Sequence, residues 1–215
     1  MADVVWQPSL LGEPGGLVSE PGPSVDRAFA GLTHVDLDDT AWYEHAAGWV
    51  AQPDAVFEAV LDAASWSQQT RRMYDSVVEQ PRLTATWRRP GESGESGEPI
   101  LPVIGAMRDA LAERYQRAFA TGGLNLYRDG RDSVAWHGDR IAKEVVDPIV
   151  GIVSLGHPRT FRLRPKGGGR SLPIVLHGGD LLVTGGSCQR TWDHAVPKTK
   201  SAGPRISITF RHGVS

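Results

Sequence analysis

The sequence has little cysteine, little net charge and no long apolar run. Its 215 residues include a single cysteine, Cys188, which excludes an internal disulfide and is typical of a reducing compartment. The formal net charge is −2, so a nucleic acid would have to bind at a local basic patch. No apolar run approaches the ~20 residues of a membrane span, and the N-terminus lacks the basic-then-apolar order of a signal peptide. These absences predict a soluble cytoplasmic protein with no membrane partner.

The composition is sufficient for one folded domain. Hydrophobic residues make up 40% of the chain and charged residues 22%, which allows a buried core without disulfides or a structural metal. Residues 1–24 are rich in glycine and proline and are predicted to form an irregular arm. Residues 25–215 are predicted to form a single domain, with helices in 25–121 and a β-core in 122–215. We expect a monomer, because nothing in the sequence demands a larger assembly.

Apolar spacing predicts helices first and strands afterwards. Two helices are expected within residues 25–66, separated near Pro53, and another within 100–119, where apolar residues recur every three or four positions. Residues 66–87 are predicted as loop and strand, and the polar stretch 89–99 as a surface loop. Short apolar or alternating runs in the second half predict strands at 124–127, 149–155, 160–164, 171–176, 180–184, 191–195 and 205–210. The chain is therefore predicted to be α+β, with a sandwich, jelly roll or small barrel as its core.

One short motif, His137-Gly138-Asp139, places an imidazole and a carboxylate two residues apart. On a strand this spacing puts both side chains on one face, where they can share a metal ion. His194, which follows Trp192 and Asp193 in a strand-like run, is the candidate third ligand. Two histidines and one carboxylate on one side of a metal suit Fe(II) chemistry with dioxygen and a bidentate cosubstrate. Alone, a His-x-Asp motif also fits a surface turn or a hydrogen-bonded core histidine.

The last apolar segment of the chain carries two arginines, Arg205 and Arg211. An even separation puts both guanidinium groups on the same face of a regular strand, together with Ser207. Guanidinium groups bind carboxylates through paired hydrogen bonds, and 2-oxoglutarate has a carboxylate at each end. The alternative interpretation is an edge strand with solvated arginines.

These segments, in this order and spacing, resemble the AlkB family of 2-oxoglutarate-dependent nucleic-acid dealkylases. Residues 81–85 resemble a segment that precedes the barrel in several members, and the main resemblance covers the blocks 125–132, 136–139, 149–156, 159–164, 179–183, 189–198 and 205–211. It implies a double-stranded β-helix (jelly-roll) core with supporting N-terminal helices. It also implies a substrate-recognition lid within residues 25–121.

The resemblance implies an iron site and a cosubstrate site. The implied Fe(II) ligands, which are also the catalytic residues, are His137, Asp139 and His194. The implied residues for 2-oxoglutarate are Asn125, Tyr127, Arg205, Ser207 and Arg211. Arg205 and the Tyr127 hydroxyl would bind the distal carboxylate. Arg211 and Asn125 would lie near the keto-acid end.

Two departures from the family pattern concern the cosubstrate and the base. Ser207 stands where members often have asparagine, and this shorter side chain could lose one cosubstrate contact, which a water could replace. Residues 140–142 are Arg-Ile-Ala, where repair members commonly carry acidic residues close to the target base. The departures leave the base preference open and do not touch the implied iron ligands.

The implied reaction is the oxidative dealkylation of N-alkylated bases in DNA. It consumes O2 and 2-oxoglutarate, releases succinate, CO2 and an aldehyde, and restores the base. The candidate substrate-binding residues are Trp66, Arg71, Arg72, Met73, Tyr74 and Arg82. Adjacent arginines could bind phosphates, and an aromatic ring could stack on a base flipped out of its helix. Alternatively, the aromatic rings pack on the barrel and the arginines are solvated.

Other functions remain compatible with the sequence. The same scaffold could serve an RNA or tRNA demethylase, or a hydroxylase of another substrate. A non-catalytic jelly-roll binding protein would not need the full set of ligands together with Arg205. A zinc hydrolase could use two histidines and a carboxylate, but it would not need paired arginines on the last strand.

Overall fold

The computed structural model describes residues 22–73, 76–88, 98–99, 101–139 and 145–212. Its first half contains short strands and two helices: β1 (Ser24–Val25), β2 (Leu32–Asp36), β3 (Ala41–Ala46), β4 (Val50–Ala51), α1 (Pro53–Ala63), β5 (Ser67–Met73), β6 (Ser76–Arg88), β7 (Glu98–Pro99) and α2 (Pro102–Tyr115). Its second half is mainly strands: β8 (Phe119–Tyr127), β9 (Val134–His137), β10 (Val150–Gly156), β11 (Arg159–Pro165), β12 (Leu172–Leu176), β13 (Leu181–Gly186), α3 (Cys188–Thr191), β14 (Trp192–Val196) and β15 (Arg205–His212). The strands predicted in the second half are confirmed.

Two sheets pack face to face. The larger sheet has the order β2-β3-β13-β10-β15-β8-β6-β5, with β7 beside β6, and the smaller has the order β12-β11-β14-β9. A separate pair joins β1 to β4. Side chains from both sheets, among them Ile152 of β10, Phe161 of β11 and Trp192 of β14, meet in one buried cluster. This layered antiparallel arrangement is that of a jelly roll and confirms the predicted core.

Two helices cover the other face of the larger sheet. Each has a proline in its first turn, Pro53 or Pro102, where a fixed φ and a missing N–H are tolerated. Phe57 of α1 and Leu111 of α2 are buried in one cluster with Phe210 of β15. The two helices that the apolar spacing predicted here are therefore confirmed.

The last strand, β15, divides its side chains between the two faces of the larger sheet. Ile206, Ile208 and Phe210 join the cluster beneath the helices. Arg205 and Arg211 lie on the opposite face and line a cavity between the sheets. The strand is buried along nearly its whole length, so the interpretation as a solvated edge strand is wrong.

One of the helices predicted before Trp66 is wrong. The stretch before Pro53 forms β2, β3 and β4, and β3 pairs along β13 from Ala41–Gly186 to Ala46–Leu181. Every residue of β3 pairs with a residue of β13, and such long-range pairing outweighs the local preference for a helix. The larger sheet therefore contains strands from both halves of the chain. Residues 1–21 of the predicted arm, and most of the polar stretch 89–99, lie outside the described residues.

The helices of the described residues are short. None of them combines the length and the apolar character that crossing a membrane requires.

Candidate metal and cosubstrate site

The cavity lies between the two sheets, with β9, β11 and β14 on one side and β8, β10 and β15 on the other. Its lining includes every predicted metal ligand, every predicted cosubstrate residue and one predicted substrate residue: His137, Asp139, His194, Asn125, Tyr127, Arg205, Ser207, Arg211 and Arg82. The fold thus brings together residues that the sequence places far apart.

The three predicted ligands form one cluster. The ligand atoms offered by His137, Asp139 and His194 all lie within 4.8 Å of one another. His137 ends β9 and pairs with His194 on the neighbouring strand β14, where a register shift follows. The two imidazole centroids are 4.2 Å apart. Such a set of two nitrogen ligands and one oxygen ligand can hold one divalent metal ion on one side.

The surroundings of the two histidines suit them as metal ligands. His137 Nδ1 lies 2.9 Å from the Ala135 carbonyl, to which it donates in the tautomer that leaves Nε2 free for a metal. His194 is buried, and its ring stacks on Phe161 with centroids 5.3 Å apart. Burial, with a contribution from nearby His137, lowers the pKa of His194 to about 4. His194 is therefore neutral at pH 7 and available as a ligand.

The Asp139 carboxylate is held in its ionised form. Burial acts to raise its pKa, but the charge of Arg211, the two histidines and a hydrogen bond from Arg211 outweigh it and lower the pKa. Arg211 donates from Nη2 to Oδ1 at 3.1 Å and from Nε to Oδ2 at 3.3 Å. The backbone N–H of Asp139 donates to Oε1 of Gln189 at 3.0 Å. Both ends of this residue are therefore fixed by partners.

Arg205 forms a buried cationic site within the same cavity. It is 1% exposed, and its Nε donates to Ser154 Oγ at 2.9 Å. Its guanidinium carbon lies 5.2 Å from the centroid of the Tyr127 ring, and burial lowers its pKa. Its buried Nη1 has no hydrogen-bond partner. Because buried donors are normally satisfied, an unpaired guanidinium nitrogen beside a cavity indicates a site for a carboxylate.

Asn125 and Arg82 form the wall of the cavity on β8 and β6. Arg82 Nε donates to Asn125 Oδ1 at 2.8 Å. Asn125 pairs in register with Ser207 on β15 and with Thr84 on β6. A predicted substrate residue therefore contacts a predicted cosubstrate residue directly.

Comparison with known proteins assigns the chain to a family. The family described as the 2OG-Fe(II) oxygenase superfamily matches residues 52–211. This protein belongs to the 2OG-Fe(II) oxygenase superfamily. Within it, the chain is similar to proteins of the AlkB type.

Two curated relatives and one solved structure illustrate the likeness. Alpha-ketoglutarate-dependent dioxygenase alkB homolog 3 of Homo sapiens is 32% identical over 180 residues, which are 75% of this chain and 62% of that protein. DNA oxidative demethylase ALKBH2 of Arabidopsis thaliana is 30% identical over 184 residues, covering 68% of this chain and 57% of that protein. The chain thus spans less than two thirds of these relatives. The structure of OsALKBH1 shares the fold, with a TM-score of 0.55, 15% identity and coverage of 84% of this chain and 100% of that chain.

The site of this member of the superfamily fits the groups in the superfamily's name. His137, Asp139 and His194 supply the facial set of two nitrogens and one oxygen that suits Fe(II). Arg205 supplies an unsatisfied guanidinium nitrogen for a carboxylate of 2-oxoglutarate. The donor set and the unpaired nitrogen therefore match Fe(II) and 2-oxoglutarate.

Trp66 is the other predicted substrate residue whose side chain the structure describes, and it is not among the residues that line the cavity. Trp66 packs against the core beneath the helices, and its Nε1 donates to the Leu61 carbonyl at 3.0 Å, as the packing alternative expects. The backbone of Arg71, Arg72 and Met73 lies on β5, where the structure does not describe these side chains. Tyr74 lies outside the described residues, as do residues 140–142. Substrate binding by these residues stays a prediction.

Ser154 and Gln189 belong to this site, although no role was predicted for them from the sequence. Ser154 anchors Arg205, and it is the one hydroxyl within the apolar strand β10. A polar side chain inside a buried run is the signal that could have identified it, since buried hydroxyls need partners. Gln189 lies 50 residues after Asp139, and no local spacing connects the two.

Proposed function

We propose that this protein is a 2-oxoglutarate-dependent dioxygenase that removes alkyl groups from the nitrogens of DNA bases. The observation that carries the proposal is the shared cavity of His137, Asp139 and His194 with buried Arg205. A metal-ligand set alone would also fit a hydrolase, but the unpaired Arg205 nitrogen provides for a dicarboxylate cosubstrate as well.

The residues of the chain bind and orient the reactants. His137, Asp139 and His194 would hold Fe(II), and Arg205 would hold one carboxylate of 2-oxoglutarate. Bound Fe(II) and 2-oxoglutarate supply the oxidation by O2 that hydroxylates an N-alkyl carbon, with 2-oxoglutarate converted to succinate and CO2. The hydroxylated group then leaves as an aldehyde and the base nitrogen regains a proton.

Nucleic acid as the substrate is supported by the relatives and by the wall of the cavity. One relative is named a DNA oxidative demethylase. The Arg82 side chain, half-buried at the cavity and bound to Asn125, places a cation where a phosphate or a base edge could approach. An alkylated base pairs poorly, which lowers the free energy needed to flip it into such a pocket. RNA, tRNA or another molecule is the alternative substrate, and a non-catalytic binding role is the further alternative.

The test measures formaldehyde and succinate from the protein supplied with Fe(II) and 2-oxoglutarate. N-methylated single-stranded DNA, double-stranded DNA and RNA oligomers of the same base sequence are compared. We expect formaldehyde from DNA, abolished by His137→Ala and retained by His177→Ala, which removes an exposed histidine outside the cavity.

Three other outcomes would contradict parts of the proposal. Faster release from RNA would overturn DNA as the substrate. Succinate without formaldehyde from any oligomer would retain the oxygenase and overturn the nucleic-acid substrate. No turnover of either kind, in protein shown to bind metal and 2-oxoglutarate, would favour the binding role.

A further inference from the structure

Gln189 is a buried residue that contacts the backbone of the His137-Gly138-Asp139 motif. It lies in α3, immediately before the strand that carries His194, and it is 2% exposed. Its Oε1 accepts from the backbone N–H of Asp139 at 3.0 Å, and its Nε2 donates to Thr184 Oγ1 at 2.9 Å. The direction of the amide is determined, because the Asp139 N–H can only donate and must therefore face the oxygen.

The backbone of the same residue packs against Gly138. A Cβ on Gly138 would lie 2.7 Å from the Gln189 carbonyl oxygen, a distance that real Cβ atoms essentially never show. Lys166 Nζ donates to that same carbonyl at 3.3 Å. Gln189 thus meets two successive residues of the His-Gly-Asp motif, one through its backbone and one through its side chain.

This contact matters because the strand pairing ends before Asp139. β9 ends at His137, and its last paired position joins His137 to His194. The described partners of Asp139 are Arg211 at its carboxylate and Gln189 at its backbone. The pairing of β9 with β14 therefore positions the imidazoles of His137 and His194, whereas contacts with the side chains of Arg211 and Gln189 position Asp139.

We propose that Gln189 is a positioning residue that fixes the Asp139 backbone, so that the carboxylate meets the two imidazoles and the protein binds its metal tightly. The Thr184 hydroxyl, itself 1% exposed, holds the amide in the required direction. The inference rests on the metal site of the proposed function. It assigns to Gln189 no contact with substrate or cosubstrate.

The test compares metal affinities of the full chain in the absence of substrate and cosubstrate. Gln189→Met keeps the length of the side chain and removes both hydrogen bonds. Co(II) is titrated, and its visible absorption reports both the affinity and the coordination. Because loss of partners that orient metal ligands weakens binding on the order of 10–100-fold, we expect a fall of that size in Gln189→Met. Thr184→Val keeps the glutamine and is expected to give a smaller fall of the same kind.

Ser187→Ala is the matched control in the same segment. Its hydroxyl lies 2.7 Å from Thr40 Oγ1 and 2.9 Å from Thr191 Oγ1, with no contact to Asp139. We expect this variant to lower the unfolding temperature of the metal-free protein while leaving Co(II) affinity and the Co(II) spectrum as in the wild type. A loss of affinity confined to Gln189→Met and Thr184→Val would support positioning.

Two results would overturn the inference. One is wild-type Co(II) affinity in a folded Gln189→Met protein, or in Thr184→Val if the methionine variant does not fold. The other is an equal loss of affinity in Ser187→Ala, which would make the effect a general loss of stability. Failure of the wild type itself to bind Co(II) would overturn the proposed function instead, so the two failures are distinguishable.

Discussion

At the scale of single residues, Arg205 is a buried side chain with one hydrogen-bond donor left unpaired. Its Nε donates to Ser154 Oγ, and its guanidinium group lies over the Tyr127 ring. Its Nη1 is buried and has no hydrogen-bond partner. A buried unsatisfied donor is destabilising on its own, so a carboxylate that pairs with it gains the full value of the hydrogen bond. The proposed role of Arg205 in cosubstrate binding rests on this nitrogen.

We predict that Arg205→Lys weakens 2-oxoglutarate binding and spares metal binding. Lysine keeps the charge, but its compact ammonium lacks the planar fork with which a guanidinium can bind Ser154 and pair with a carboxylate at the same time. Hydrogen bonds to charged groups contribute about 1.5–3 kcal/mol, which corresponds to a rise in Kd of roughly 10–100-fold. Isothermal titration of 2-oxoglutarate into Mn(II)-loaded protein measures this change.

Arg162→Lys is the control for this prediction. Arg162 donates to Ser171 Oγ at 2.7 Å on β11, outside the cavity lining. We expect its 2-oxoglutarate affinity to equal that of the wild type. Unchanged affinity in Arg205→Lys, or an equal loss in both variants, would contradict the assignment of Arg205.

The residues of the site differ in how far the sequence could predict them. His137 and Asp139, two residues apart, and Arg205 and Arg211, six apart, were predictable because strand geometry converts even spacing into a shared face. Gln189 was not, since its contact with Asp139 depends on how α3 packs against the end of β9. Local periodicity carries no information about such packing.

At the scale of elements, the turn between β2 and β3 anchors the segment that carries His194. Trp192 Nε1 donates to Asp38 Oδ2 at 2.7 Å, and Thr40 Oγ1 lies 2.7 Å from Ser187 Oγ. The indole hydrogen bond is the largest cause that lowers the pKa of Asp38 to about 2. The turn between β2 and β3, two strands found where a helix was predicted, thus holds the start of β14 through hydrogen bonds.

We predict that Trp192→Phe lowers the stability of the protein in a pH-dependent way. Loss of one hydrogen bond to an exposed carboxylate costs about 1 kcal/mol, or a fall of roughly 2–4 °C in Tm. Because the folded pKa of Asp38 lies below its ordinary value of 3.8, the ionised carboxylate stabilises the fold above that value. The stabilisation is lost as the pH falls through about 2. Urea unfolding of metal-free protein at pH 7 and at pH 3 measures the difference.

Trp49→Phe is the matched control for pH dependence. The Trp49 indole donates to the backbone carbonyl of Asp26 at 2.8 Å, an acceptor that does not titrate. The destabilisation by Trp49→Phe should therefore be the same at both pH values, whereas that by Trp192→Phe should shrink at the lower one. Equal behaviour of the two variants would contradict the role of Asp38.

The elements themselves were predictable where one periodicity dominated. α1 and α2 have apolar residues every three or four positions, and β15 alternates between polar and apolar side chains from Arg205 to Arg211. The stretch before Pro53 was predicted to be helical, but it contains β3, whose buried residues lie at both even and odd positions. Its conformation follows from pairing with β13, a partner about 140 residues later, which no local pattern can predict.

At the scale of the whole molecule, the metal site connects the two sheets. His137 and His194 belong to neighbouring strands of the smaller sheet, and Asp139 follows the end of β9. Arg211 belongs to β15 of the larger sheet, and its ion pair with Asp139 crosses the cavity at 3.1 Å. A metal held by the three ligands therefore joins β9 to β14, and through Asp139 it is coupled to the opposite sheet.

This connection predicts that a divalent metal raises the stability of the whole fold. A ligand that binds only the folded state stabilises it by about 2.7 kcal/mol at 100 times its Kd, which corresponds to a rise in Tm of roughly 5–11 °C for a domain of this size. We expect Mn(II) to produce this rise, a chelator to reverse it, and His137→Ala to abolish it, while His177→Ala responds as the wild type does. Thermal unfolding followed by circular dichroism measures the shift. An undiminished shift in His137→Ala would mean that the metal binds elsewhere on the fold. A metal can join β9 to β14 only when a ligand from each strand, such as His137 and His194, is present.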